Sequence, residues 1–149
     1  MAEITVTLSG DKEAMERLRR IGGGVLDLSS PMSSIGRYLT GFFSGEVFAS
    51  RGGVIGKSWR PLNNQYAARK ARTFPGRPPL IRTGVMNRSF KANAGRASVL
   101  LLNSDPKFAF HQSGTSRIPA RTMMAVDQTR ERRIVDIIDA HLGRVMGAA

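Results

Sequence analysis

The chain has 149 residues, a length that fits one domain, and it contains no cysteine. Lack of cysteine excludes a disulfide framework and a thiolate zinc site, and it suits assembly in a reducing cytoplasm. No apolar run approaches the roughly 20 residues of a membrane span. The first residues lack the basic and then apolar pattern of a signal peptide, so we expect a soluble protein without a membrane partner.

The formal net charge of +12 is concentrated in the middle of the chain. Residues 51–121 contain 14 basic residues and a single acidic residue, Asp105, which gives a net charge of +13. Residues 1–50 carry a net charge of −1, and residues 122–149 are neutral overall. A basic block of this kind indicates nearby DNA, an acidic protein neighbour, or only a solvated surface, and the charge alone leaves the three open.

The first third of the chain predicts one strand and two helices. Residues 4–8 alternate apolar side chains with threonine, which predicts a short strand with one buried face. A helix is expected to follow and to end at the glycine triplet 22–24. Ser30-Pro31 predicts the start of a second helix capped by the serine, and apolar residues recur at helical spacing over 35–48. We expect that stripe to lie in the core.

The middle of the chain, residues 51–82, is rich in arginine, proline and glycine and predicts an extended basic region. Residues 51–61 and 73–80 are expected to be mobile loops, because the proline content is incompatible with regular structure. A short helix is predicted between them, over 64–72. A turn of helix capped by Thr83 is expected after the second loop.

The last third predicts a hairpin and a closing helix. Residues 89–94 and 97–102 are extended runs separated by a short turn, which indicates an antiparallel hairpin. A short apolar element is expected at 108–111, and a closing strand at 122–126. Asp127 is expected to cap the last helix. The apolar face of that helix, expected to pack on the sheet, consists of Ile134, Ile137, Ile138 and Leu142.

These elements together predict a single α+β domain over residues 1–149. Because the strands are few and clustered, we expect a small antiparallel sheet of three or four strands packed by three main helices. Long loops rich in arginine, proline and glycine are expected to connect them.

Catalytic and metal-binding patterns are missing from the sequence. Gly56-Lys57-Ser58 lacks the earlier glycine of a phosphate loop, because Arg51 stands in that position. His111 and His141 are the only histidines, and neither has a neighbouring carboxylate cluster that would complete a metal site. The solitary Asp105 has no partner for paired-carboxylate chemistry in the basic block. We therefore predict a protein that is not an enzyme and has no metal or cofactor.

Three stretches of sequence carry a resemblance to a known family. The first is Gly56-Lys57-Ser58-Trp59-Arg60-Pro61-Leu62, and the second is Pro79-Leu80-Ile81-Arg82-Thr83-Gly84-Val85-Met86. The third is Phe108-Ala109-Phe110-His111-Gln112-Ser113-Gly114, followed by Ile118-Pro119-Ala120-Arg121. In order and spacing, they resemble the phage virion morphogenesis family, which includes tail-completion proteins of Mu-like phages. One departure is Thr122-Met123-Met124-Ala125, where the family is typically more aromatic.

The resemblance implies a structural protein of a tailed phage, a ring-forming subunit of the neck or tail-completion region. It implies a location in the virion, after assembly in the host cytoplasm. The expected partners are further copies in a hexameric ring, other neck or tail proteins, and DNA if the basic block faces the channel. The alternative is a basic nucleic-acid-binding protein that acts outside the particle, although the sequence lacks helix-turn-helix, zinc-finger and RNP patterns.

Two groups of residues are the candidate contacts. Trp59 is expected to be an apolar docking anchor in an arginine-rich loop, and Arg82 a charge in a tight turn. The alternative is that both belong to the domain's own lid and turn. The candidate interface residues are Trp59, Arg60, Pro61, Leu62, Arg82, Thr83, Gly84, His111, Gln112, Gly114, Pro119 and Arg121. The candidate contacts to DNA or to an acidic partner are Arg69, Lys70, Arg72 and Arg77.

Overall fold

Helices and one antiparallel sheet make up the part of the chain described in the computed structural model, residues 3–7 and 27–147. This confirms the predicted α+β class. The elements are β1 (Glu3–Thr7), α1 (Ser29–Ser44), α2 (Glu46–Ala49), a 3-10 turn (Gly53–Ile55), α3 (Asn64–Thr73), α4 (Val85–Arg88), β2 (Phe90–Ala94), β3 (Ser98–Asn103), α5 (Phe108–Ser113) and α6 (Gln128–Gly147). The helix predicted before the glycine triplet 22–24 lies outside the described residues. Among those that are described, no helix has the length and apolar character needed to span a membrane.

The sheet has the strand order β1-β3-β2, and both strand pairs are antiparallel. Strands β2 and β3 form the predicted hairpin, with Phe90 opposite Asn103 and Ala94 opposite Val99. Strand β1 pairs along the other side of β3. Alternate residues of β3 are buried, including Val99 and Leu101, so one face of the central strand contributes to the core.

Helix α1 buries its apolar stripe against the sheet, as its spacing predicted. Ile35, Leu39 and Phe43 are fully buried. The helix approaches β2 closely at Gly36, where a Cβ atom would lie 2.8 Å from the Cβ of Ala92. A glycine at this position therefore lets the helix and the strand come together.

Both ends of this helix differ from the prediction. The helix begins at Ser29, and the carboxylate of Asp27 accepts a 2.9 Å hydrogen bond from the Ser29 backbone N–H. Ser30 is therefore not the cap, because it lies inside the helix and Leu28 occupies the cap position. The predicted single helix through Phe48 is interrupted at Gly45, a weak helix former, after which the separate helix α2 begins.

Helix α6 packs on α1, and α1 covers the sheet, so the prediction that α6 packs on the sheet is wrong. Ile134 and Ile138 of α6 are buried in the core. The guanidinium of Arg130 lies over the ring of Phe42, 4.2 Å from its centre. The predicted cap is confirmed, since the Asp127 carboxylate accepts a 3.1 Å hydrogen bond from the Arg130 backbone N–H.

The closing strand predicted at 122–126 has no regular secondary structure. The side chain of Gln112 makes the backbone hydrogen bonds there that a neighbouring strand would otherwise make. Its Oε1 accepts hydrogen bonds from the backbone N–H groups of Met123 and Met124, at 2.8 and 3.1 Å, and its Nε2 donates to the Met124 carbonyl at 2.8 Å. These bonds hold both methionines in the core, where they are almost fully buried.

Candidate interface cleft

One cleft of about 720 Å³ is bordered by parts of all three stretches that carry the family resemblance. Its walls are helix α3 with the loop before it, the start of α4 with the loop before it, and the segments on either side of α5. Ten of the candidate residues predicted from the sequence line it: Arg60, Pro61, Leu62, Lys70, Arg82, Thr83, Gly84, His111, Pro119 and Arg121. Stretches that are far apart in sequence therefore form one surface.

Trp59 lies outside the cleft, in the domain's own core. Its side chain is 8% exposed, and its ring packs edge-on against Phe48 with ring centres 5.3 Å apart. The indole Nε1 donates a 2.7 Å hydrogen bond to the Thr122 carbonyl. The turn before Trp59 packs closely on the indole, since a Cβ on Gly52 would lie 2.6 Å from the indole nitrogen. The expectation that Trp59 is a docking anchor is therefore wrong, because its apolar surface is already used within the chain.

Arg121 joins the first and third stretches from a buried position. Its Nε donates to the Arg60 carbonyl at 2.9 Å, and its Nη2 donates to the Pro61 carbonyl at 3.1 Å. Burial lowers the pKa of the Arg121 guanidinium, but arginine keeps its charge in proteins. This side chain therefore holds the cleft wall in place and brings a positive charge to it.

Lys70 is the second buried cation of the cleft. It is 6% exposed, and its Nζ donates a 2.5 Å hydrogen bond to the Pro78 carbonyl. Burial, and then the charge of Arg121, lower the pKa of Lys70. The expectation that Lys70 contacts DNA or an acidic partner together with its neighbours is contradicted, because the ammonium group is turned inward to close the loop at Pro78.

The other three candidate partner contacts are exposed. Arg69 and Arg72 lie on α3, whose first turn is capped by the Asn63 side chain. The guanidinium of Arg69 lies over the Tyr66 ring, 5.5 Å from its centre. Arg77 follows in the loop after the helix and is exposed as well. These arginines present positive charge to solvent beside the cleft.

The second stretch turns sharply into α4 at the cleft edge. Gly84, with φ +80, occupies the position before the helix, so the predicted cap by Thr83 is wrong. Instead, the Thr83 carbonyl accepts a 3.2 Å hydrogen bond from Arg88. Arg82 is exposed, and its guanidinium lies 5.5 Å from the centre of the Phe74 ring. Leu80 also lines the cleft and adopts the left-handed φ of +63, which is a strained backbone for leucine.

The third stretch contributes His111 and a tight loop. The His111 carbonyl accepts a 2.7 Å hydrogen bond from the Arg121 backbone N–H, and its buried Nδ1 has no partner among the described residues. Burial, and then Arg121, lower the pKa of His111, while Asp105 acts in the opposite direction. Gly114 has φ +74, and a Cβ there would lie 2.7 Å from the Ala120 nitrogen. Gly114 and Gln112 therefore shape the domain, and neither lines the cleft.

Positive charge dominates the cleft. Its lining includes one carboxylate, Asp105, and six cationic side chains: Arg60, Lys70, Arg82, Lys107, Arg117 and Arg121. In residues 3–7 and 27–147 the ion pair found is Arg130–Asp127, at 3.1 Å, which lies outside the cleft. Two apolar side chains on the lining are well exposed, Tyr66 at 40% and Val85 at 52%. A partner that fits this surface combines negative charge with apolar contact.

The sequence interpretation missed part of this lining. Lys107 and Arg117 flank the third stretch, and Tyr66 lies on α3. Their charge was visible in the basic block, but their convergence required the fold. No cluster of histidine, cysteine or acidic residues able to hold a metal ion occurs in the part of the chain that the structure describes.

Comparison with protein families finds a match. The model of the family described as "Phage virion morphogenesis family" matches residues 9–143, a span that contains every residue lining the cleft. Comparisons with curated proteins and with solved structures find no match.

Proposed function

The chain belongs to the phage virion morphogenesis family, and we propose that it is a ring-forming structural subunit of the neck or tail-completion region of a tailed phage. In this proposal the cleft is a contact between protein subunits, and the ring is hexameric. The family supports a role in virion morphogenesis, and the narrower position in the particle is our proposal.

The observation that carries the proposal is the shared cleft. The three stretches that resemble the family border one surface, and the buried Arg121 holds two of them together. A concave surface with exposed apolar groups and a charged rim is a typical place for a partner to bind. A contact between subunits at this cleft would involve all three stretches at once.

The unpaired charge supports assembly with other components. Six copies of the +13 block would bring roughly 80 positive charges into one ring, and this charge would repel itself without compensation. Acidic surfaces of neighbouring subunits or DNA in the channel would compensate it. Arg69, Arg72 and Arg77 are exposed and suit either partner.

A structural role also fits the residues at the cleft better than catalysis. The single carboxylate on the lining, Asp105, accepts a 2.8 Å hydrogen bond from the Lys107 backbone N–H. It therefore stabilises the turn that leads into α5. The nearest histidine, His111, is half-buried and its pKa is lowered by burial. Among the described residues, no second carboxylate lines the cleft to complete an acid–base pair.

Genetic removal tests this proposal. A phage that lacks the chain is expected to accumulate heads and tails that are not joined, or tails of abnormal length, and expression of the chain from a plasmid should restore infectious particles. Infectious particles of normal yield without the chain would contradict the proposal. The exposed arginines favour one alternative, a nucleic-acid-binding protein outside the particle. That alternative predicts that the free chain shifts duplex DNA at physiological salt, with a strong dependence on salt concentration.

A further inference from the structure

We infer that the cleft of one subunit binds the acidic ridge of helix α6 in a second copy of this chain, the acidic ridge being Glu131, Val135 and Asp139. The inference rests on the proposed ring and names the contact that builds it. The argument depends on the exposure of the ridge, the charge of the cleft and the geometry of a head-to-tail contact.

The acidic ridge runs along one side of α6. Its residues are four positions apart, so they line up on the helix, and the two carboxylates are separated by about 12 Å along the axis. Both acidic residues are exposed, and Val135 between them is 51% exposed. Ile134 and Ile138 on the same helix are buried in the core, while the ridge residues are exposed to solvent.

Helix α6 also carries most of the exposed carboxylates of the described chain. Five carboxylate side chains in that part are exposed, and three of them, Glu131, Asp136 and Asp139, lie on α6. The ion pair found in the described part joins Asp127 to Arg130, so it uses none of these three carboxylates. They remain available to a neighbouring subunit.

The cleft offers the complementary pattern. Arg60, Arg82, Lys107 and Arg117 are exposed cations on its lining, and the exposed apolar surface of Val85 lies among them. An acidic ridge with an apolar centre places carboxylates beside guanidinium groups and Val135 beside apolar side chains. Arginine is suited to such contacts because its guanidinium pairs with a carboxylate through two hydrogen bonds.

The two surfaces are different, so each subunit offers one of each. A contact between unlike surfaces leaves a free cleft at one end and a free ridge at the other, and further copies add until the ring closes. Because the contacts lie at exposed charges, we expect high salt to weaken the association.

The experiment uses charge reversal in the full chain. The cleft variant is Arg82→Glu with Arg117→Glu, and the ridge variant is Glu131→Arg with Asp139→Arg. The matched control is Glu46→Arg with Arg96→Glu, which reverses exposed charges outside both surfaces. Sedimentation at low salt and high protein concentration reports the size of the assemblies. Circular dichroism and thermal unfolding verify that each variant folds.

We expect the parent and the control to form assemblies larger than dimers, and each interface variant alone to associate at least about tenfold more weakly. Mixed together, the two variants should regain association, because the ridge kept by one fits the cleft kept by the other and the two reversed surfaces are again opposite in charge. A parent chain that stays monomeric at low salt overturns the inference. It is equally overturned if folded variants assemble like the parent, or if assembly requires added DNA or an acidic peptide. If imaging still places the chain in a ring, the proposed function stands and only this contact is wrong.

Discussion

The indole Nε1 of Trp59 donates a 2.7 Å hydrogen bond to the carbonyl of Thr122, 63 positions later in the chain. The bond joins the first of the three stretches to the residues that follow the third. Arg121, next to Thr122, binds the carbonyls of Arg60 and Pro61 in the same region. The shape of the cleft therefore depends on one aromatic and one cationic side chain that are both buried.

Trp59 should thus control stability. We predict that Trp59→Ala lowers the free energy of unfolding by about 3–5 kcal/mol, the range for deletion of a large buried aromatic. Trp59→Phe keeps most of the packing but leaves the Thr122 carbonyl without its donor, and should cost about 1–3 kcal/mol. Urea unfolding of both variants measures the difference. Equal stability of the alanine variant and the parent would show that the indole is not part of the core.

Gly114 should tolerate no side chain. Its φ of +74 is unfavourable for alanine, and the new Cβ would lie 2.7 Å from the Ala120 nitrogen. We predict that Gly114→Ala costs about 1–3 kcal/mol of stability. Gly143→Ala is the matched control, because that glycine lies in α6 and, beyond the helix itself, no other described part of the chain comes within 4 Å of the new Cβ. The control should stabilise the chain by up to about 1 kcal/mol through helix propensity, and thermal unfolding of the two variants should therefore move in opposite directions.

Ile138 tests the packing of α6. Its side chain is 5% exposed, so Ile138→Asp buries a charge without a partner and should cost several kcal/mol, roughly 3 or more. Val135→Asp is the matched control on the same helix, because its side chain is 51% exposed. Denaturant unfolding at high salt, where association is weak, separates the two. Similar unfolding of Ile138→Asp and Val135→Asp would mean that α6 is not packed as the structure has it.

His111 should make stability depend on pH. Burial lowers its pKa in the folded state below the ordinary value of 6.5, so the unfolded chain binds the proton more readily. The contribution to stability is complete above pH 6.5 and is lost as the pH falls toward the folded pKa. His111→Gln should flatten the dependence over that window, as measured by urea unfolding at a series of pH values. Parallel stability curves for His111→Gln and the parent would contradict the account.

The exposed arginines should matter for assembly and not for folding. We predict that Arg69→Glu, Arg72→Glu and Arg77→Glu together leave unfolding nearly unchanged, because all three side chains are exposed. The same variant should impair joining or DNA retention in particles. Lys70→Glu should instead destabilise the fold, because Lys70 is buried and bonded to Pro78. Full infectivity of the triple variant would show that this part of the basic block is only a solvated surface.

Periodic patterns in the sequence predicted the main elements well. The stripe of α1, the β2–β3 hairpin and the Asp127 cap depend on neighbouring residues, so local spacing was enough to find them. The break at Gly45 and the start at Ser29 shifted the bounds of α1, because short capping contacts decide where a helix ends.

Long-range contacts explain what the sequence did not reveal. Gln112 replaces a strand beside Met123 and Met124, and a polar side chain in that role has no local signature. The assignment of Trp59 to an interface failed for a similar reason, since its partner Thr122 lies far away in sequence. The cleft residues could be named from the family resemblance, but their convergence depends on the bonds of Arg121.

The most direct test of the account is the position of the chain in intact particles, determined by electron cryo-microscopy of the purified virion. We predict a closed ring of this chain at the neck or the head-proximal end of the tail, with its clefts turned toward neighbouring subunits. Particles whose neck and tail contain no density for the chain would contradict the central claim.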